Sequence, residues 1–240
     1  MGKTESTASQ ECSIWFRMTF GLLVFCYDAA TYIFYYLYQN PSAALKARRK
    51  VQAFKFAVDK FGSRKCLGTR KILSEEGEEQ SDGRFFMKYC LGDYEWTTYN
   101  EMREAATGFG LGLKELGVRK GEKVAILAET RAEWLIAAYA CMGQSFPVVT
   151  LYATLGESAI AHGISETECE TVITSQDLLP KFKKILSDAP SVKRVIYMEP
   201  QLPQALPSGL PDSVEYIRFS DVVKKGRSSD EVEKRKVGTE

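Results

Sequence analysis

The sequence predicts an α/β protein: a membrane-anchor helix, then a mostly parallel sheet with helices on both faces. Three observations predict it. The run Ile14 to Tyr38 is apolar almost throughout its 25 residues. Further on, short aliphatic and β-branched runs alternate with stretches whose apolar residues recur every three to four positions, as crossover helices between parallel strands require. The composition, 45% hydrophobic and 26% charged, suits a globular core without collagen-like or disordered bias. At 240 residues the chain can hold one ordinary domain with an appendage.

As a helix, residues 14–38 would extend about 38 Å, enough to cross a hydrocarbon core roughly 30 Å thick. Arg17, near its start, can snorkel to the interface. Asp28, near its middle, carries an insertion cost of about 3 kcal/mol. The alternative is a helix, or a kinked pair, embedded in one leaflet with its many aromatic side chains at headgroup level. A cleaved signal is disfavoured, because Tyr36-Leu37-Tyr38-Gln39-Asn40-Pro41 offers no small-residue cleavage site. Lys46, Arg48, Arg49, Lys50 and Lys55 follow the run, against Lys3 before it, so the positive-inside rule places the body in the cytosol. Asn40-Pro41-Ser42 is no glycosylation acceptor, since proline fills the middle position. Gly2 fits the N-myristoylation pattern, although Glu5 gives no help at an anionic membrane and short patterns match by chance. Cys12 and Cys26 are candidate palmitoylation sites, or simply apolar residues of the anchor. Division of the chain follows: an N-terminal tail over 1–13, the anchor over 14–38, a basic linker over 39–53, an α/β body over 54–225 and a disordered tail over 226–240.

Within the body, residues 84–99 read as a hairpin turning at Leu91-Gly92-Asp93. Thr97 or Thr98 then caps a helix with Glu101 in its first turn, and Gly117 closes it. Val124–Leu127 is a short buried strand and Arg131–Met142 an apolar helix. Strand Phe146–Leu151, helix Glu157–Ile164, strand Thr171–Thr174, helix Asp177–Leu186 and strand Val192–Met198 follow. Pro200, Pro203, Pro207 and Pro211 mark a surface loop, with a last strand over Glu215–Phe219 and a helix over Ser220–Lys225.

Few residues invite chemistry. Net charge is +1, which gives no reason to expect nucleic acid as a partner. The six cysteines are dispersed without a C-x-x-C pair, and His162 is the single histidine, so no zinc spacing exists and reduced thiols are expected. There is no G-x-x-x-x-G-K-[ST] loop, no G-x-S-x-G elbow and no H-E-x-x-H. Gly108, Gly110 and Gly112 sit inside a helical pattern with no strand before them, so they suit close packing on the sheet rather than a dinucleotide loop. Thr150, Tyr152 and Thr154 follow a strand at its carboxyl end, where open α/β sheets bind ligands; they either line a pocket or form an ordinary strand-to-helix loop.

Glu129-Thr-Arg-Ala-Glu-Trp134 followed by Phe146-Pro-Val-Val-Thr-Leu-Tyr-Ala-Thr-Leu-Gly156 closely resembles the eukaryotic long-chain acyl-CoA synthetases. Phe61-Gly62, Leu67-Gly-Thr-Arg-Lys-Ile-Leu-Ser-Glu-Glu76, Trp96-Thr-Thr-Tyr99 and His162-Gly163 look like the same family, over about residues 54 to 200. The branch it is most similar to prefers long or polyunsaturated fatty acids and sits on the endoplasmic reticulum and lipid droplets; mitochondrial outer membrane and peroxisome are alternatives. The resemblance implies the first part of an adenylate-forming N-domain. It also implies a ligase in which a long-chain fatty acid attacks the α-phosphate of ATP, and coenzyme A then attacks the acyl-adenylate. ATP, Mg²⁺ and CoA are the family's cofactors. Its phosphate loop, a later Glu, a ribose-binding Asp and the lysine of a C-terminal domain have no counterpart in these 240 residues, so no catalytic or metal-binding residue carries over. The stretch between anchor and first body helix is also shorter than is usual in the family, as in a shortened splice product or partial sequence. Two expectations stand together: a ligase portion inactive on its own, or a non-catalytic membrane-docked module that associates with full-length ligase or another partner.

Overall fold

The computed structural model describes residues 43–229. The anchor at 14–38, the tail at 1–13, Gly2, Cys12, Cys26 and residues 230–240 lie outside the described residues. Among those described, no helix is long and apolar enough to cross a membrane. The chain forms two compact units, divided between Gln52 and Ala53.

Helix α1 runs from Ala43 to Phe61. It covers most of the stretch read as a linker, because the cations there are spaced among alanines and long apolar side chains that favour helix. In the second unit, Val58 is buried and Phe54 stacks on Tyr139 with ring centroids 4.3 Å apart. An antiparallel ribbon follows, β1 (Lys65–Glu79) paired with β2 (Phe85–Thr98). The hairpin turn is therefore not at Leu91-Gly92-Asp93. It falls at residues 80–84, where Gln80 N–H donates to Arg84 O (2.7 Å), Gly83 N–H donates to Gln80 O (2.9 Å) and Gly83 adopts φ +80°. Leu91-Gly92-Asp93 forms a bulge instead: Ile72 faces Leu91, but Arg70 faces Tyr94. Arg70 fills the gap, its guanidinium donating to Gly92 O (3.0 Å) and Leu91 O (3.1 Å).

That bulge and a second on β1, between Ile72 and Ser74, have a cumulative effect. They rephase the two strands so that Phe85, Tyr89, Leu91, Tyr94 and Trp96 share one face of the ribbon. Gly77 and Gly68 lie beneath the Phe85 and Trp96 rings, where a Cβ would collide with them. The ribbon is tied to the body by the Gln201 side chain, which accepts from Ile72 N–H (2.9 Å) and donates to Arg70 O (3.0 Å).

Thr98 starts α2 (Tyr99–Glu115) with a complete capping box: its hydroxyl accepts from Glu101 N–H while the Glu101 carboxylate accepts from Thr98 N–H. Gly117, at φ +87°, ends it. The alternation predicted from the sequence then unfolds: β3 (Val124–Leu127), α3 (Ala132–Gln144), β4 (Val148–Leu151), α4 (Glu157–Thr167), β5 (Thr171–Ser175), a 3-10 turn (Gln176–Lys181), α5 (Phe182–Asp188), β6 (Arg194–Met198), β7 (Glu215–Arg218) and α6 (Phe219–Arg227). Pro180 explains why the helix read from Asp177 is split: its first turns are 3-10 and only the last are α. Helix α6 reaches Arg227, into the stretch read as a disordered tail.

All five strands β3 to β7 are parallel, in the order β4-β3-β5-β6-β7. Val124, Ile126, Ile173, Ile196 and Met198 point to one face, under α2, α3 and α6. Ala125, Leu127, Val172, Val195 and Tyr197 point to the other, under α4 and α5. On the first face Phe109 is fully buried and stacks on Phe219, 4.1 Å between centroids. The helical glycines do not pack on the sheet as expected. Gly108 and Gly112 face Val222, Val223 and Gly226 of α6, and Gly110 faces Ala140 and Gln144 of α3. Missing Cβ atoms let three helices, rather than helix and sheet, approach closely.

Candidate functional site at the carboxyl edge

From β3 the chain crosses first to β4 on one side, then back past β3 to β5 on the other. The two connections leave in opposite directions, so a crevice opens at the carboxyl ends of β3 and β5, the position where open parallel sheets bind ligands. Polar residues collect there. Ser175, the last residue of β5, donates from Oγ to Glu129 Oε2 just past β3, at 2.8 Å, a bond that spans the crevice. Arg131 precedes α3 and holds Glu133 with two bonds, Nε to Oε2 at 2.9 Å and Nη2 to Oε1 at 2.8 Å. The same Nη2 donates to Glu199 O, just past β6, at 2.9 Å. The Glu199 carboxylate in turn accepts from Ser220 Oγ, in the first turn of α6, and from Ser220 N–H. An anion is favoured there by the unpaired amides of the helix N-terminus. The buried Gln176 donates from Nε2 to Gln204 O (3.0 Å), pinning the proline-rich loop over the same edge.

Electrostatically this frame is self-neutralising at its centre. Burial works against ionisation of Glu133, but the bonds and charge of Arg131 outweigh it and hold the carboxyl below the ordinary Glu range. Burial likewise opposes the charge on Arg131, and Glu133 more than compensates. A folded-state pKa below the unfolded one contributes stability above the unfolded value and loses it as pH falls through the folded value. Arg131→Met is therefore expected to cost about 2 kcal/mol at neutral pH. The gap from wild type should narrow as pH falls below the ordinary Glu range and through the depressed folded value of Glu133, since the unpaired carboxyl of the variant is by then already protonated. Urea titrations at both pH values check this; a pH-independent gap would mean that the pair contributes only packing.

Thr150, Tyr152 and Thr154 are not gathered into an enclosed pocket. All three are exposed, Tyr152 to 78%: Thr150 lies within edge strand β4, and Tyr152 and Thr154 lie on its connection to α4. That loop is held by its backbone instead: Lys181 Nζ donates to Ala153 O at 2.9 Å. His162 is exposed on α4. Cys66, Cys90, Cys141 and Cys169 are free thiols, and burial pushes that of Cys141 up to about 12, which leaves it unreactive. Two concavities lie at the opposite, amino end of the sheet, each roughly 450 to 470 Å³, lined around Arg119 and Lys120.

A triphosphate needs backbone amides and uncommitted cations, but the crevice presents Glu129, Glu133 and Glu199, and its guanidinium is spent on Glu133. Among the described residues no group of three His, Cys, Asp or Glu side chains could hold a metal. What the crevice residues do is fix the strand ends relative to one another.

A model of the family described as AMP-binding enzyme matches residues 73–230. The chain belongs to the AMP-binding enzymes. Within this family it is similar to long chain acyl-CoA synthetase 8 of Arabidopsis thaliana, 40% identical over 146 residues that make up 61% of this chain and 20% of that protein. It is also similar to long-chain-fatty-acid--CoA ligase 3 of Saccharomyces cerevisiae, 31% identical over 204 residues, 77% of this chain and 29% of that one. The chain thus spans less than a third of the length of these curated relatives. In fold it matches the adenylation domain of a carboxylate reductase from Mycobacterium chelonae (TM-score 0.61, 19% identity, 74% of this chain and 29% of that chain). An anthranilate CoA ligase in complex with anthranoyl-AMP also matches (TM-score 0.53, 18% identity, 72% and 27%). The mixed α/β body with its parallel sheet is the AMP-binding N-domain architecture.

Proposed function

We propose that the chain supplies the first part of the adenylating domain of a long-chain fatty acid–CoA ligase. In the complete reaction a fatty acid carboxylate attacks the α-phosphate of ATP and releases pyrophosphate. The thiolate of coenzyme A then attacks the acyl carbonyl and expels AMP. The observation that carries the proposal is the switch-point crevice, bridged from Glu129 to Ser175 and from Arg131 to Glu199, in a chain whose sequence follows the long-chain acyl-CoA synthetases. These residues position strand ends, against which the phosphate-binding and acyl-binding groups of a complete ligase would be set.

Residues 14–38 are proposed to hold the chain in a membrane with its body in the cytosol, supported by their length and by the cations that follow them. The catalytic proposal is tested in two arms. Purified chain 1–240 is expected to show no oleate-dependent exchange between ATP and pyrophosphate. Replacement of the matching stretch of the Arabidopsis relative by residues 73–230 is expected to preserve oleoyl-CoA formation. A chimera that folds but forms no oleoyl-CoA would count against the assignment, and exchange by the isolated chain would disprove its inactivity.

A further inference from the structure

The cation–π contacts found among the described residues all fall on one patch, where the end of α1 meets the base of the ribbon. Lys60 Nζ lies over Phe61 at 5.3 Å and over Phe56 at 5.7 Å. The Arg64 guanidinium lies over Phe61 at 5.3 Å, Lys65 over Trp96 at 5.0 Å and Arg70 over Tyr94 at 5.8 Å. The rings are not core residues: Phe56 is 64% exposed, Tyr94 56% and Trp96 46%. The core-facing side of the ribbon base is carried by Leu67, which packs on the main cluster, so the Tyr94–Trp96 face points away from the body. Among the described residues, Lys60, Arg64 and Lys65 have no carboxylate within ion-pair distance. Glu75, Glu76, Glu78 and Glu79 lie at the far end of the ribbon, near its turn.

We infer that this patch is a docking surface for an anionic lipid bilayer. Amphipathic rings with a cation above each are the chemistry of the headgroup layer: the ring sits among the upper acyl carbons and the cation meets phosphate and carboxylate headgroups. Unneutralised Lys60, Arg64 and Lys65 supply the charge complement, and the acidic far end of the ribbon sets which part of it docks. Chain order agrees, since the apolar run ends at Tyr38 and α1 begins at Ala43. The inference stands on the patch itself and does not depend on the ligase assignment.

Trp96 reports directly. The full chain carrying Trp15→Phe, reconstituted in vesicles whose phospholipids have brominated acyl chains, retains Trp96 and the half-buried Trp134 as its indoles. Vesicles of phosphatidylcholine with phosphatidylserine are expected to quench its emission, and vesicles of phosphatidylcholine alone to do so much less. Trp96→Phe should remove the quench, and Lys60→Gln/Arg64→Gln/Lys65→Gln should remove its dependence on phosphatidylserine. Emission identical in brominated and ordinary vesicles would overturn the inference, as would a quench untouched by the triple substitution. A response to single-stranded RNA with none to vesicles would also overturn it.

Discussion

Gly226→Ala is expected to cost about 3 kcal/mol of stability, although it adds only one methyl group. The new Cβ would fall against Gly108 O and Gly112 N, well inside van der Waals contact. Both are backbone atoms of α2, which cannot rotate aside as a side chain would. Helix propensity acts in the opposite direction, since Ala is favoured over Gly by roughly 1 kcal/mol in a helix. Overpacking costs about 1 to 3 kcal/mol even where side chains can yield, so collision outweighs propensity here. Gly112→Ala, which would strike Val222 O from the other side of the same contact, should behave alike. At Gly143, in α3, an added methyl would meet nothing within 4 Å, so Gly143→Ala should be neutral or slightly stabilising. Urea unfolding followed by circular dichroism separates the cases. A wild-type midpoint for Gly226→Ala would mean that α2 and α6 stand further apart in solution than this contact requires.

Phe109→Ala should cost a further order of the same size, about 3 to 5 kcal/mol, by emptying the fully buried space beneath α6. Its second effect reaches the crevice. Phe109 stacks on Phe219, and the next residue, Ser220, holds the Glu199 carboxylate at the edge of the sheet. Loss of the ring therefore loosens the start of α6 and the Ser220–Glu199 bond together. Ser220→Ala alone removes only that bond. In a double-mutant cycle the two losses are expected to sum to less than their separate values, because the bond is already weakened once the ring is gone. Strict additivity would show that α6 is positioned independently of the core stack.

The parts of this molecule that are legible in its sequence are those governed by local periodicity. Val124–Leu127, Thr171–Thr174 and Val192–Met198 read as strands because they gather aliphatic and β-branched residues for a sheet covered on both faces, and the helices between them carry their own period. Thr98 and Glu101 declare a helix start within four residues. The hairpin turn is misplaced by sequence reading because Leu91-Gly92-Asp93 has turn-like letters, whereas its partner strand, Lys65–Glu79, is so rich in charge and glycine that it does not read as a strand. The crevice is not legible at all as a site. Glu129 lies 46 positions from Ser175 and Arg131 lies 68 from Glu199, and no periodicity links them. One signal is available: each polar partner stands at or just past the carboxyl end of a buried strand, where it cannot serve the core.

The Gln201 amide that meets Arg70 and Ile72 has a consequence for solubility. A primary amide offers one acceptor and one donor at nearly the spacing of a peptide group, and here both are satisfied by the outer side of β1. A two-stranded ribbon as long as this one leaves a row of vacant rungs, a template for end-to-end growth between molecules. By occupying the rung beside the bulge, the proline-rich loop interrupts that template near its middle. On β1, a strand from another copy can then pair only on either side of the plug, so unbroken growth along the whole strand is confined to the outer side of β2.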